Sequence, residues 1–124
     1  MALYYFLADN LLFFCFLGSI ECDFSESGAQ LCFGAVGQQL SFHLSDATDT
    51  DIRLTMDDKY VILNKVKGTV TVHEENVNTS ELLTIGTIKL GKAMKRHSGD
   101  YLLEEFGSDG ALLKKVKMHL EIRG

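Results

Sequence analysis

His97-Ser98-Gly99-Asp100-Tyr101-Leu102-Leu103 is followed by Phe106-Gly107-Ser108-Asp109-Gly110 and an alternating run to Ile122. A Ser-Gly turn that feeds a strand, with a tyrosine two residues after the glycine, is the corner that leads into the last hairpin of a two-sheet β-sandwich. The tyrosine ring is buried and its hydroxyl locks the bend, while the residue two places later faces the opposite sheet. The glycine-containing turn at 107–110 then closes the hairpin, and Val116, Met118, Leu120 and Ile122 fall on its inward side because side chains alternate along a strand.

Upstream of this corner the same period of two recurs. Between Asp23 and Gly91 short apolar runs are separated by Gly, Asp, Asn and Ser, with no proline, repeat or low-complexity tract. A first strand is expected near Gln30 to Phe33, a second at Leu40-x-Phe42-x-Leu44, and a third at Ile52-x-Leu54-x-Met56. Tyr60 to Asn64 and Thr69 to His73 form a further hairpin joined near Lys67-Gly68. Leu82 to Ile85 and Thr87 to Leu90 are expected to pair in the opposite sheet. Gly91 to His97 crosses between sheets with Ala93 or Met94 as its inward plug, and Lys92 to Arg96 also fits a helical turn. Glu105 is the discordant residue: alternation from Tyr101 and Leu103 turns it inward, so the strand bulges there or Glu105 lies beyond the covered core.

At 124 residues the chain suits one domain. Its net charge of −5 and lack of a basic run argue against a nucleic-acid surface, and Lys114, Lys115 and Lys117 are most simply a solvated strand face. Leu11 to Leu17 is an apolar core of signal-peptide length, too short for a membrane span. Residues 1–22 are therefore expected to be a leader cut after Ser19 or Cys22, and residues 23–124 a single domain in an oxidising compartment. On that division Cys32 is a small buried residue of the first strand without a partner in the chain, the alternative being a bond to another chain. His43, His73, His97 and His119 come from four separate segments without metal-ligand spacing. Ser98, His97 and Asp100 are neighbours in sequence, but a catalytic base, nucleophile and carboxylate must meet in space, so no catalytic residue, metal site or cofactor is assigned.

Gly37-x-x-Leu40-x-Phe42-x-Leu44, Ile88-x-Leu90-x-x-Ala93 and Ser98-Gly99-x-Tyr101-x-Leu103 together resemble the N-terminal immunoglobulin variable-type domain of the signalling lymphocytic activation molecule family and related lymphocyte adhesion receptors. The resemblance spans Gln30 to Ile122. It implies an all-β, variable-type two-sheet sandwich lacking the usual inter-sheet disulfide, with Leu44 and Leu103 where the bridging cysteines would stand, Leu54 at the site of the core tryptophan, and Tyr101 in the corner. His97 stands where the family has an acidic residue. The same resemblance implies weak adhesion or receptor–ligand contact through the outer face of the wider sheet. By alternation that face carries Arg53, Thr55 and Asp57 on the third strand, Leu102 and Glu104 on the sixth, and Lys115, Lys117 and His119 on the seventh. The implied partner is another immunoglobulin-like cell-surface domain, a related one or a second copy, with no nucleic acid or small-molecule cofactor, and the implied setting is extracellular, either secreted or as a plasma-membrane ectodomain. Asn78-Thr79-Ser80 is an acceptor for N-linked sugar. Membrane attachment would require a longer chain, and without one a soluble competitor of such a receptor is expected. A small ligand-carrying β-barrel is the remaining architecture that the alternation allows.

Overall fold

The computed structural model describes residues 6–8, 11–13, 18–47 and 49–124. Most of the expected leader's apolar core lies outside the described residues; within residues 1–22, β1 (Phe6–Ala8) and β2 (Leu11–Phe13) form a two-stranded antiparallel pair. The remaining strands are β3 (Ser19–Asp23), β4 (Gly28–Ala35), β5 (Gln39–His43), β6 (Asp51–Met56), β7 (Tyr60–Val66), β8 (Thr69–Val72), β9 (Thr87–Lys92), β10 (Gly99–Phe106) and β11 (Leu112–Arg123). Two open sheets pack face to face. One has the order β4-β11-β10-β6-β7-β8 and the other the order β3-β5-β9. This is a sandwich, and the ligand-carrying barrel is set aside because neither sheet closes on itself.

The inward residues of both layers fill one core. Leu40, Phe42, Ile88 and Leu90 come from the small sheet, and Ile52, Leu54, Leu63, Tyr101, Leu103, Val116, Met118, Leu120 and Ile122 from the large one, with Leu44 buried just past the end of β5. Leu44 and Leu103, which the resemblance sets at the bridging positions, are both fully buried. The centre is aromatic: Phe42 packs against Phe24 at 5.2 Å between ring centroids and meets Tyr101 edge-on at 5.1 Å. Edge-to-face pairs add attraction beyond burial because the positive rim of one ring points at the negative face of the other.

The corner forms as its sequence demands. Tyr101 Oη donates to the carbonyl of His97 at 2.5 Å, and a 3₁₀ turn over Lys95–His97 supports that carbonyl. His97 is itself buried, with Nδ1 accepting from the Met94 N–H at 2.9 Å. Burial, and then the neighbouring Arg96 charge, hold its pKa below the ordinary histidine value. Ala93 is the inward plug, and Met94 points out.

Four local expectations need correction. Leu82–Ile85 is a single α-helical turn, α1, instead of a strand; it buries Leu82 alone and ends at Gly86. Gly86 has φ +72, and a Cβ there would lie 1.7 Å from the Ser45 carbonyl oxygen, so only glycine allows this close passage. Cys32 is not unpaired: it forms a disulfide with Cys22, tying β4 of the large sheet to β3 of the small one. The first strand of the large sheet is longer than expected, running over Gly28–Ala35 parallel to β11, and Ser19–Asp23 is a strand of the small sheet. A leader ending at residue 22 would remove that strand and half of the disulfide, so we propose that any cut falls at or before Ser19. Finally, Asp57 lies one residue beyond β6, at φ +54, and its carboxylate accepts from the Asp100 N–H at 3.0 Å, capping the start of β10.

Glu105 points into the sandwich, and the register slips only after it. Its carboxylate accepts from Ser45 Oγ at 2.7 Å and from Thr50 Oγ1, and lies 3.4 Å from Lys114 Nζ. Burial by itself would raise its pKa, but the two hydroxyl donors and the lysine outweigh it and hold the carboxyl below the ordinary value. A carboxyl whose pKa is lower folded than unfolded stabilises the fold above the unfolded value, near pH 4.3, and that contribution is lost as pH falls through the folded value. Glu105→Gln is expected to cost about 1.5 kcal/mol at neutral pH. The same variant should flatten the loss of stability on acidification, as followed by urea midpoints across the acid range. An acid slope identical to the parent's would show that Glu105 is not the titrating group.

Candidate functional site

The outer face of the large sheet is built by register. β10 pairs antiparallel with β11 on one side and with β6 on the other, and residues directly opposite each other share a face. One row across the sheet therefore reads Lys115, Glu104, Arg53, Asn64 and Thr71. The next reads Ala29, Lys117, Leu102, Thr55 and Val61, and the third Leu31, His119 and Asp100. Seven of the eight residues that sequence alternation placed here, Arg53, Thr55, Leu102, Glu104, Lys115, Lys117 and His119, are brought onto one face. Asp57 stands at its margin in the turn after β6.

Chemically the face is a mixed-charge lattice around a small apolar centre. Glu104 sits between Arg53 and Lys115 in its row, so a negative charge is flanked by two positive ones. Leu102 is half-buried, and with Arg53, Thr55 and Glu104 it lines a shallow hollow of about 200 Å³. His119 places one ring nitrogen 2.7 Å from an Asp100 oxygen and the other 3.2 Å from a Glu121 oxygen. The bond to Asp100, then that to Glu121, raise its pKa above the ordinary histidine value, because two carboxylate acceptors favour the doubly protonated ring. Such a surface offers hydrogen bonds and charge matching to a second flat surface, and little depth for a small molecule.

The Ser98, His97 and Asp100 neighbours diverge. Ser98 Oγ accepts from the Ile122 N–H at 2.8 Å, His97 Nδ1 from the Met94 N–H, and Asp100 pairs with His119. A cleft of about 740 Å³ between β7 and β9, walled by Ile62, Leu90 and Tyr101, does include His97 and Ser98, but His97 Nδ1 and Ser98 Oγ each accept from a backbone N–H, and the two side chains are not bonded to each other. Among the described residues no three His, Cys, Asp or Glu side chains come together as a metal site. Asn78 is exposed; its backbone bridges to Lys89 of the small sheet, and its Oδ1 accepts from the Ser80 N–H at 2.8 Å.

Sequence reasoning missed two exposed apolar residues next to this face, Leu31 and Phe33 on β4. Their signal was present: Ala29, Leu31 and Phe33 alternate, and the partner of Cys32 was hidden in the assumed leader.

No protein-family model matches the sequence, and no curated protein sequence matches it. Solved structures do. Tim-1 superposes with a TM-score of 0.62 at 13% identity over 79% of this chain and 95% of that one. CD84, described with the SLAM family, gives 0.56 at 16% identity over 77% and 98%. The CD2-binding domain of CD58 gives 0.58 at 12% identity over 77% of this chain, and the match spans 54% of the CD58 chain. At such identities the likeness shows the fold alone. Sheet order, corner tyrosine, apolar pair and these superpositions together make the chain an immunoglobulin variable-type sandwich.

Proposed function

We propose that this domain is a protein-recognition module acting at the outer face of its six-stranded sheet, in weak contact with a second immunoglobulin-like domain outside the cell. The observation that carries the reading is the charge lattice itself: Arg53, Glu104 and Lys115 in one row and Lys117, Leu102 and Thr55 in the next, on a flat sheet with a half-buried apolar centre. Exposed ion pairs contribute little net affinity, whereas a mismatched charge opposite them repels, so such a face selects partners more strongly than it holds them. Micromolar affinity or weaker is the corresponding order of magnitude for a small polar interface. The neighbours support the class of partner: one solved structure is the CD2-binding domain of CD58, and another, at a TM-score of 0.50, is a ZIG-8 homodimer. A disulfide and a sequon fit an extracellular setting. Sugar on Asn78 would stand beside β9 of the small sheet and leave the large-sheet face open.

The test is display of the domain as a multimer against a panel of leukocyte-surface ectodomains including itself. Arg53→Glu combined with Lys117→Glu is expected to weaken the captured contact at least tenfold, about 1.4 kcal/mol, while Asn78→Gln leaves it unchanged. Binding that persists undiminished in the charge-reversed variant would remove this face from the interaction.

A further inference from the structure

We infer a second contact surface on this domain, distinct from the charged face: the free edge of β4, which pairs antiparallel with the same strand of a second copy about a two-fold axis through Leu31. β4 is the terminal strand of the large sheet, so among the described residues no strand pairs with its outer side; Gln38 takes the N–H and C=O of Ala35 at its end, and the alternate backbone groups before Ala35 are left without a strand partner. Strand edges in monomeric proteins are protected by lysine, proline, bulges or inward charges. This one has none. From Ser27 to Phe42 the sequence contains no charged residue, and the outward positions of β4 are Ala29, Leu31 and Phe33, with Leu31 67% and Phe33 57% exposed. The neighbouring edge strand, β3, presents Glu21 and Asp23 to solvent, so the omission is specific to β4. The Cys22–Cys32 bond fixes β4 to the small sheet from its inward side, so the edge is held in place before it meets anything.

The uncharged edge and the sizes of its side chains match a second copy and set the register. Outward residues of β11 lie beside those of β4 in the rows Lys117–Ala29, His119–Leu31 and Glu121–Phe33. With Leu31 opposite Leu31 of the second copy, Ala29 falls opposite Phe33, so a small side chain meets a large one in both flanking rows. The same register sets the Lys117 row of one copy against the Glu121 row of the other. Moving the axis to Cys32 sets Lys117 against Arg123, a like-charge row, and moving it to Gln30 leaves Phe33 beyond the end of the partner strand. Lys117 and Glu121 stand about 14 Å apart across three strand spacings, but Ala29 leaves room for the lysine stem to lie over it toward Phe33 of the second copy. The pairing is short and lies at the low end of interface size, so the dimer is weak, with a dissociation constant on the order of 100 µM.

The experiment is sedimentation of the purified full chain from about 10 µM to about 1 mM. The mass should rise from one chain toward two, and Leu31→Asp or Phe33→Asp should shift that rise at least tenfold upward in concentration. Arg53→Glu should leave it unchanged, which separates this edge from the proposed recognition face. Register is read by cross-linking: Leu31→Cys should form a covalent dimer on mild oxidation, whereas Phe33→Cys should do so only when mixed with Ala29→Cys. A mass that stays at one chain throughout, association insensitive to Leu31→Asp, or Phe33→Cys that links to itself as readily as Leu31→Cys would each overturn the proposal. Should the aspartate variants prove unfolded, the cross-linking pattern decides it.

Discussion

Phe42→Ala is expected to cost about 3–5 kcal/mol of folding stability, a large part of what a domain of this size has. Phe42 is fully buried and is the meeting point of the two layers: it leaves the small sheet, touches Phe24 on one side and receives the edge of Tyr101 on the other. Truncation removes the transfer energy of the ring and both aromatic contacts, and it opens a void between sheets held apart by their remaining side chains. Leucines at 44 and 103 limit how far the gap can collapse, because both are already packed without exposure. Urea unfolding followed by circular dichroism measures the loss. A cost below about 1 kcal/mol would mean that the core relaxes around the deletion, contrary to the close packing argued above.

Removing the disulfide ranks next. Cys22→Ala combined with Cys32→Ala should lower stability by about 3 kcal/mol on the loop-entropy account for a ten-residue separation. The bond does more than close a short loop, since its two strands belong to different sheets. Gly34, one strand pair further on, has no room for a Cβ, which would lie 2.0 Å from Ile20 Cδ1, so β3 and β4 approach closely along this whole flank. Denaturation midpoints of the double variant and of the parent with and without reductant measure the effect. Coincident midpoints for oxidised and reduced parent would show that the bond adds nothing to the folded state.

Much of this architecture was legible because it rests on period-two alternation with turn residues at its breaks. The runs at Leu40, Ile52, Tyr60, Thr69 and Leu112 all became strands, and the bond from Tyr101 to the His97 carbonyl was foreseeable from the Ser98-Gly99-x-Tyr101 spacing. The outer face followed from the same arithmetic. Asp57 slipped from it because its residue type favours positive φ, a turn property that alternation does not carry. The Leu82–Ile85 segment failed for a related reason: four residues, three of them apolar, have no resolvable period, and the decisive signal was Gly86, whose positive φ ends a helix. The Cys22–Cys32 bond was obscured by composition. An apolar stretch at Leu11 to Leu17 drew the boundary of the folded unit past Cys22, and the remaining Cys32 then had no partner within reach.

The two flanks of this sandwich are mechanically unequal. Where β3 meets β4 the layers are clamped by sulfur and by the glycine-to-isoleucine approach, whereas on the β8–β9 side, among the described residues, the Asn78–Lys89 bridge and the solvent-facing Arg96–Glu74 and Lys89–Glu81 ion pairs join the chain beside the large cleft. Opening fluctuations therefore concentrate on the β8–β9 side, and the clamped side acts as their pivot. The charged face, carried by strands next to the pivot, keeps its row spacing while the far flank breathes.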